Sequence, residues 1–152
     1  MRQITLAPLS EKELAAVAFY HGCGVDALRP MLTGSQTRCH EGRYYEQFAI
    51  RAGDCMVGLV SLHAQDGDVA SEGVEVFPPF RRCGFAKHAL FLLEHVACEA
   101  GFTVLTAQVR TTNTASLALH SACGYVSGEK WINRKGNEVI TFHKELKTCI
   151  TR

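Results

Sequence analysis

A loop that combines three cations with a glycine separates two regular patterns in the sequence. Arg81, Arg82 and Lys87 surround Gly84 at the point where an alternating strand pattern gives way to a helical one. The first N–H groups of a helix have no intrahelical partner, and the helix dipole places partial positive charge beside them. The segment therefore predicts a phosphate-binding turn, with an ordinary glycine turn and solvated arginines as the alternative. It matches neither a Walker loop nor a GxGxxG dinucleotide turn.

The next helical segment carries polar residues on one stripe. Ser116, His120 and Cys123 recur at the spacing that places them on the same side of a helix. An unperturbed imidazole has a pKa of ~6.5, so His120 can donate or accept a proton at neutral pH. The alternative is a structural histidine bonded to a backbone carbonyl. Asn113 stands immediately before Thr114, where it can also cap this helix.

Around these segments, apolar residues alternate with polar ones in the predicted strands and recur every three to four residues in the predicted helices. Ser10 and Glu13 form a capping-box pattern that opens a helix through Tyr20, and a second short helix is weakly signalled within residues 21–43. The predicted strands are residues 2–6, 47–51, 56–63, 69–77, 102–109, 125–132 and 138–146. The two later helices are predicted over residues 84–100 and 114–123.

This order of elements predicts an α/β (α+β) fold. Hairpins followed by alternating strands and helices are typical of a mixed, mostly antiparallel sheet, here of about seven strands, with helices on both faces. The 152 residues match the usual size of one domain, and no repeat or linker-like tract divides them. Residues 1–152 are therefore predicted to form a single domain.

The composition argues against several classes of protein. Sixteen Lys and Arg against fifteen Asp and Glu give a net charge of +1, so no global field recruits nucleic acid or an anionic membrane. The longest apolar run, residues 14–20, is too short to span a bilayer, and no leader-like segment is visible, so a cytoplasmic protein is expected. The 7 cysteines, the last of them Cys149, are odd in number and widely spaced. They favour free thiols over disulfides or a metal site.

Two motifs relate the chain to a known family. Residues 76–87, VFPPFRRCGFAK, resemble the pyrophosphate-binding motif [Arg/Gln]-x-x-Gly-x-[Gly/Ala] of the GNAT N-acetyltransferase superfamily, with its preceding V-x-P-x-x-R strand end. Residues 109–125, VRTTNTASLALHSACGY, resemble the family's V-x-x-x-N-x-x-[AS]-x-x-[LF]-[YH]-x-x-x-G-[FY] pattern. The similarity is clear over residues 69–146, whereas the amino-terminal half matches in the order of elements only.

The resemblance implies a groove for acetyl-CoA, without a metal, between two splayed parallel strands. In the family the strand before the loop carries a bulge, diverges from the next parallel strand and pairs with the pantetheine arm of the cofactor. The amides of the loop hold the pyrophosphate. The matching positions in this chain are Val74, Glu75, Val76, Arg81, Arg82, Cys83, Gly84, Phe85, Ala86, Lys87 and Asn113.

Acetyl transfer to an amine needs a neutral amine and a proton for the departing thiolate. His120 occupies the family's acid position, which is often a tyrosine, and its pKa suits protonation of a thiolate. In one branch of the family the general base is a glutamate at the position where this chain has Gln108. Glu72 is the predicted base because it shares a strand face with Val74. Glu75, on the opposite face, and attack through water without a dedicated base are the alternatives.

The resemblance therefore predicts an acetyl-CoA-dependent N-acetyltransferase that acts by direct ternary-complex transfer. The acceptor is expected to be a primary amine of a small molecule or a peptide N-terminus, and not nucleic acid or a membrane. A non-catalytic acyl-CoA-binding or sensor module is the alternative, which Gln108 favours. Tyr44, Tyr45 and Trp131 are either core aromatics or walls of an acceptor pocket. Cys83 is expected to be a packed thiol, and both a monomer and a homodimer fit the sequence.

Overall fold

A seven-stranded mixed sheet forms the centre of the protein in the computed structural model, which describes residues 3–147. Within these residues the strands follow the order β1-β2-β3-β4-β5-β7-β6, and β4 with β5 is the one parallel pair. The strands are β1 (Ile4–Pro8), β2 (Tyr45–Ala52), β3 (Cys55–Ala64), β4 (Val69–Val76), β5 (Val104–Arg110), β6 (Val126–Ile132) and β7 (Glu138–Glu145). The predicted fold class is confirmed. Arg2, the predicted start of the first strand, and Cys149 lie outside the described residues.

The helices begin close to the sequence signals that predict them. The α-helices are α1 (Leu14–His21), α2 (Arg29–Thr37), α3 (Phe85–Glu99) and α4 (Thr114–Ala122). The predicted capping box forms, because the Glu13 carboxylate accepts hydrogen bonds from the Ser10 backbone N–H at 3.1 Å and from the Ser10 hydroxyl. Its first turn is a 3₁₀ turn, so the α-helix starts at Leu14. The helix signalled weakly within residues 21–43 is α2.

Two apolar clusters hold helices against opposite faces of the sheet. Leu90 and Leu93 of α3 join the larger cluster with strand residues such as Leu105. Leu14 of α1 joins the smaller cluster, which contains Phe77 directly after β4. Each fully buried side chain of this size stabilises the fold by ~1.5–3 kcal/mol. Among residues 3–147, the smaller cluster includes no residue of β5, β6 or β7. On this face of the sheet, α1 and α2 therefore leave the part formed by β5, β6 and β7 uncovered.

The parallel strands β4 and β5 separate soon after they begin. Residues 69–71 pair with residues 104–106, and the two strands then diverge although both continue. From Glu72 onward the edge of β4 that faces β5 has no strand partner within the described chain. The splayed arrangement implied by the resemblance is therefore present, and it opens the sheet beside Glu72.

The bulge expected in β4 is absent from its described pairing. β4 pairs with β3 in uninterrupted register from Ala70 to Val76. The register shift lies instead between β2 and β3, at Ile50 and Arg51. Next to it, a Cβ on Gly58 would lie 2.1 Å from the Glu75 carbonyl oxygen, so the close approach of β3 requires glycine there. The expectation was wrong because the irregularity lies one strand pair away.

Three further observations concern the described residues as a set. Within residues 3–147, no helix combines the length and the apolar composition that a membrane crossing requires. The same stretch contains no group of three or more His, Cys, Asp or Glu side chains arranged to hold a metal ion. Cys23, Cys39, Cys55, Cys83 and Cys123 are free thiols.

Candidate active site

A groove of about 650 Å³ runs from the open edge of β4 to the start of α3. Every predicted cofactor position except Cys83 lines it. These positions are Val74, Glu75, Val76, Arg81, Arg82, Gly84, Phe85, Ala86, Lys87 and Asn113. Cys83 is exposed, with its sulfur 3.5 Å from the Arg81 carbonyl oxygen, so the expectation of a packed thiol was wrong. Its side chain is exposed because the stretch of loop that carries it, residues 81–84, lies at the protein surface.

The loop before α3 has the backbone conformation of an anion site. Arg82 and Gly84 both adopt positive φ angles, of 63° and 80°. For a non-glycine residue such as Arg82 this conformation costs ~1–2 kcal/mol, and such outliers cluster at ligand sites. In the described structure no side chain caps α3, whose first residue is Phe85. Its first N–H groups therefore remain available to an anion.

The cations of this loop give the groove a local positive charge. The Arg81 Nε donates a hydrogen bond to the Val76 carbonyl oxygen at 3.0 Å, which fixes that side chain against the end of β4. Neither Arg82 nor Lys87 forms an ion pair with any described carboxylate. Unpaired cations beside free helix amides attract a diphosphate even though the net charge is +1.

Asn113 lies where the groove meets α4. Its side-chain oxygen accepts a hydrogen bond from the Ser116 backbone N–H at 3.1 Å, which makes it the N-cap of the helix. Asn113 and Ser116 line both the groove and a second cavity of about 280 Å³ between β4 and β5. The groove and the gap between the strands are thus continuous.

Glu72 and His120 face each other across this gap. The His120 Nε2 lies 3.0 Å from the Glu72 Oε2, and the same oxygen accepts a hydrogen bond from the Tyr125 hydroxyl at 2.9 Å. The exposed fraction is 3% for the His120 side chain and 1% for the Glu72 side chain. We call these three residues the Glu72–His120–Tyr125 cluster. Glu72 and His120 also line the 280 Å³ cavity, so this buried pair borders the space between the strands.

The hydrogen bonds of His120 determine where its protons lie. The Nδ1 is 2.8 Å from the Ser116 carbonyl oxygen and 3.2 Å from the Ser116 hydroxyl. A carbonyl oxygen can only accept, so Nδ1 carries a proton. Burial lowers the pKa of His120, but the hydrogen bond and charge of Glu72, with the Ser116 carbonyl, outweigh burial and raise it overall. The pair therefore holds a proton between Nε2 and the carboxylate.

Tyr125 is held in its protonated form. Burial, then the charge and the hydrogen bond of Glu72, raise the pKa of Tyr125 far above its usual value. Its hydroxyl therefore remains a donor to Glu72. Its ring also contacts His120 edge-on, with centroids 5.0 Å apart.

The two glutamates of β4 point to opposite faces of the sheet, as the strand period requires. Glu72 is buried on the α3 and α4 face, whereas the Glu75 Oε1 lies 2.8 Å from the His21 Nε2 at the end of α1. Glu75 does not line the gap between β4 and β5. Its side chain is thus directed away from His120.

The raised pKa of His120 predicts how stability changes with pH. A group whose pKa is higher in the folded state contributes stability that is complete below its unfolded pKa, here ~6.5, and is lost as pH rises through the folded pKa. We expect the free energy of unfolding to fall over this range, and to fall less in Glu72→Gln, which lacks the carboxylate partner. Urea unfolding of both proteins between about pH 6 and pH 9 checks this. Equal slopes for the two proteins would contradict the proposed coupling.

The family follows from a sequence comparison. The model of the acetyltransferase (GNAT) family matches residues 26–125, which include the predicted phosphate-binding loop, the whole of α4 and the groove between them. The chain belongs to the GNAT acetyltransferase family. The resemblance inferred from the two motifs is thereby confirmed, and enzymes of this family use acetyl-CoA as co-substrate. A comparison with curated proteins gave no match to this GNAT chain.

Solved structures of similar shape support the same fold. The ribosomal L7/L12 α-N-protein acetyltransferase RimL, in complex with coenzyme A, has a TM-score of 0.84 at 14% identity, covering 96% of each chain. The microcin C7 self-immunity acetyltransferase MccE, with acetyl-CoA and AMP, has a TM-score of 0.83 at 14% identity, covering 96% of this chain and 94% of that one. A chimera of spermidine N-acetyltransferase SpeG from Vibrio cholerae and hSSAT has a TM-score of 0.78 at 17% identity, covering 94% and 95%. At these identities the likeness shows the GNAT fold alone.

The sequence analysis missed Tyr125, the second hydrogen-bond partner of Glu72. Tyr125 was visible as the aromatic position that follows Gly124 in the second motif. Its contact joins residues 53 positions apart, on β4 and just before β6, and no local pattern encodes that distance. The signal was the residue type, a hydroxyl-bearing aromatic that needs a hydrogen-bond partner when buried.

Proposed function

We propose that this GNAT protein is an acetyl-CoA-dependent N-acetyltransferase that transfers the acetyl group directly to a primary amine in a ternary complex. One observation carries the proposal. The groove that begins at the phosphate-binding loop leads into a gap where Glu72 and His120, a proton-sharing pair, are buried. A binding module needs the groove but has no use for that pair at its end.

The residues of the groove fit the shape and charge of acetyl-CoA. Backbone amides of residues 82–87, with Arg82 and Lys87, would hold the diphosphate. The unpaired edge of β4 at residues 74–76 would add to the pantetheine arm as a neighbouring strand does. Asn113 would contact the same arm where the groove meets the gap. When bound, acetyl-CoA supplies the acetyl group as a thioester.

In this proposal Glu72 is the base and His120 is the acid. Both bonds to Glu72 end on Oε2, so Oε1 is the oxygen that would take a proton from the amine. The Nδ1 proton of His120 would leave through the Ser116 hydroxyl, which lines both the groove and the gap. The amine nitrogen forms a bond to the acetyl carbon, the C–S bond breaks, and the sulfur receives that proton. The pair holds the same number of protons before and after.

A thiol-release assay distinguishes an enzyme from a sensor module. We expect acetyl-CoA to raise the melting temperature of the protein and free CoA to appear only when an amine acceptor is added. A thiol reagent follows CoA release across a panel of primary amines, with a reaction lacking acceptor as the control. Stabilisation by acetyl-CoA without CoA release from any amine would favour the sensor module.

A further inference from the structure

A second groove of about 510 Å³ lies on the sheet face that α1 and α2 leave uncovered. Its walls come from β5, β6, the first residues of β7 and the turn that joins β6 to β7. Arg110, Arg134 and Lys135 supply its charge, while Gln108, Trp131 and Asn133 supply neutral polar and aromatic surface. None of these positions has a part in the phosphate-binding loop.

The cations of this second groove have no counter-charge in the protein. Among residues 3–147, no carboxylate lines the groove, and neither Arg110, Arg134 nor Lys135 forms an ion pair. The nearby Glu138 carboxylate accepts a hydrogen bond from the Thr111 hydroxyl at 2.9 Å and lies outside the lining. Arginines elsewhere do form ion pairs, namely Arg29, Arg38, Arg43 and Arg51. The groove therefore keeps its positive charge for a ligand.

Hydrogen bonds hold the walls of this groove in place. The Asn133 Nδ2 donates to the Gln108 Oε1 at 2.8 Å, which links the turn to β5. The Asn133 Oδ1 accepts from the backbone N–H groups of Lys135 and Asn137 at 3.1 and 3.0 Å, so the turn that carries the cations is fixed. The Trp131 Nε1 donates to the Thr141 hydroxyl at 2.9 Å and orients the indole. Such preorganisation lowers the entropic cost of binding a ligand.

The second groove opens toward Glu72 and His120. Gln108 and Arg110 line both this groove and the gap between β4 and β5. Gln108 also lines a cavity of about 450 Å³ that contains Glu72. A molecule in the groove can thus place one end beside Glu72 and the other beside Arg134 and Lys135.

We infer that the second groove binds the acceptor, and that the acceptor is a primary amine that also carries an anionic group, a carboxylate or a phosphate. The inference rests on the proposed acetyl transfer. The amine would lie at Glu72 and the anion at the turn cations, which bind either group through charge-assisted hydrogen bonds. A polyamine such as the spermidine in the name of one similar structure would meet like charge there.

A fluorescence titration tests the inference independently of turnover. Trp131 is the sole tryptophan of the sequence and is 45% exposed in the groove, so its emission reports a ligand there. The probes are phosphoethanolamine against ethanolamine and β-alanine against β-alaninamide, each with CoA present, and spermidine as the polycation. We expect the anionic member of at least one pair to change the emission and to have a kcat/KM about tenfold or more above its neutral partner. The arm that responds identifies phosphate or carboxylate.

Charge reversal at the turn is the matched variant. In Arg134→Glu/Lys135→Glu we expect the KM of the anionic amine to rise about tenfold or more, while the KM of acetyl-CoA and the kcat stay unchanged. Lys12→Glu/Lys147→Glu makes the same charge change at exposed sites outside the groove and should leave all three constants unchanged. Equal effects of the two double variants, or a preference for neutral amines or spermidine, would overturn the inference and leave the proposed function standing. An emission change without CoA release from any amine would overturn the proposed function and leave the groove as an anion site.

Discussion

Replacement of Gly84 by glutamate is expected to abolish CoA binding. The φ angle of 80° at this position favours glycine. A carboxylate at the start of α3 would repel the diphosphate and would compete with it for the backbone amides proposed to bind it. A Cβ on Gly84 would meet no atom within 4 Å, so the effect arises from charge and conformation and not from a collision. We expect the Kd of CoA, measured by calorimetry, to rise at least about 100-fold, or ~2.7 kcal/mol.

Gly101→Glu is the matched control for this variant. Gly101 follows α3, has a φ angle of 95° and also has open space around its Cβ position. The same charge and a similar backbone strain are thus introduced outside the groove. We expect a comparable loss of stability with an unchanged Kd for CoA. A Gly84→Glu protein that binds CoA as tightly as the wild type would remove this loop as the cofactor site.

His120→Phe is expected to lower turnover by about 10²-fold or more while CoA affinity is retained. A phenyl ring has nearly the shape of the imidazole and can occupy the same space beside the rings of Tyr125 and Phe142, whose centroids lie 5.0 and 5.7 Å from that of His120. What is lost is the proton on Nδ1 and the partner of Glu72. Initial rates at saturating acetyl-CoA and acceptor measure the change, and calorimetry checks the affinity.

A double variant separates the proposed chemical roles of Glu72 and His120 from the effect of a stranded buried charge. Removal of one partner of a buried ion pair costs ~3–5 kcal/mol, because the other charge is left alone. In Glu72→Gln/His120→Phe no charge is stranded, so the free energy of unfolding should recover in part. We expect turnover to stay low despite this recovery. If turnover returned together with stability, neither Glu72 nor His120 would take part in the chemistry, and both would be structural residues.

The parts of the site that depend on local backbone were predictable from the sequence. The turn at Gly84 and the N-cap at Asn113 each depend on a few neighbouring residues whose conformational preferences are strong. The strand period correctly separated Glu72 from Glu75, because alternation along β4 needs no knowledge of the rest of the chain. The two hydrogen-bond partners of Glu72 were less predictable from the sequence. His120 was placed by helical spacing, whereas Tyr125 required the tertiary fold.

The second groove was beyond prediction for a topological reason. β7 lies between β5 and β6 in the sheet, so Arg110 and the turn at Arg134 and Lys135 come together only when the last strand inserts there. The sequence order of β5, β6 and β7 does not state this arrangement. Trp131 illustrates the difficulty, since an aromatic strand residue is usually buried, yet here it forms a wall of the groove.

A crystal structure of the protein with acetyl-CoA tests the central claim most directly. The claim predicts the diphosphate on the backbone amides of residues 82–87 and the thioester sulfur inside the gap between β4 and β5, within hydrogen-bond reach of the Ser116 hydroxyl. A diphosphate bound elsewhere, or a thioester that leaves the gap beside His120 empty, would contradict it.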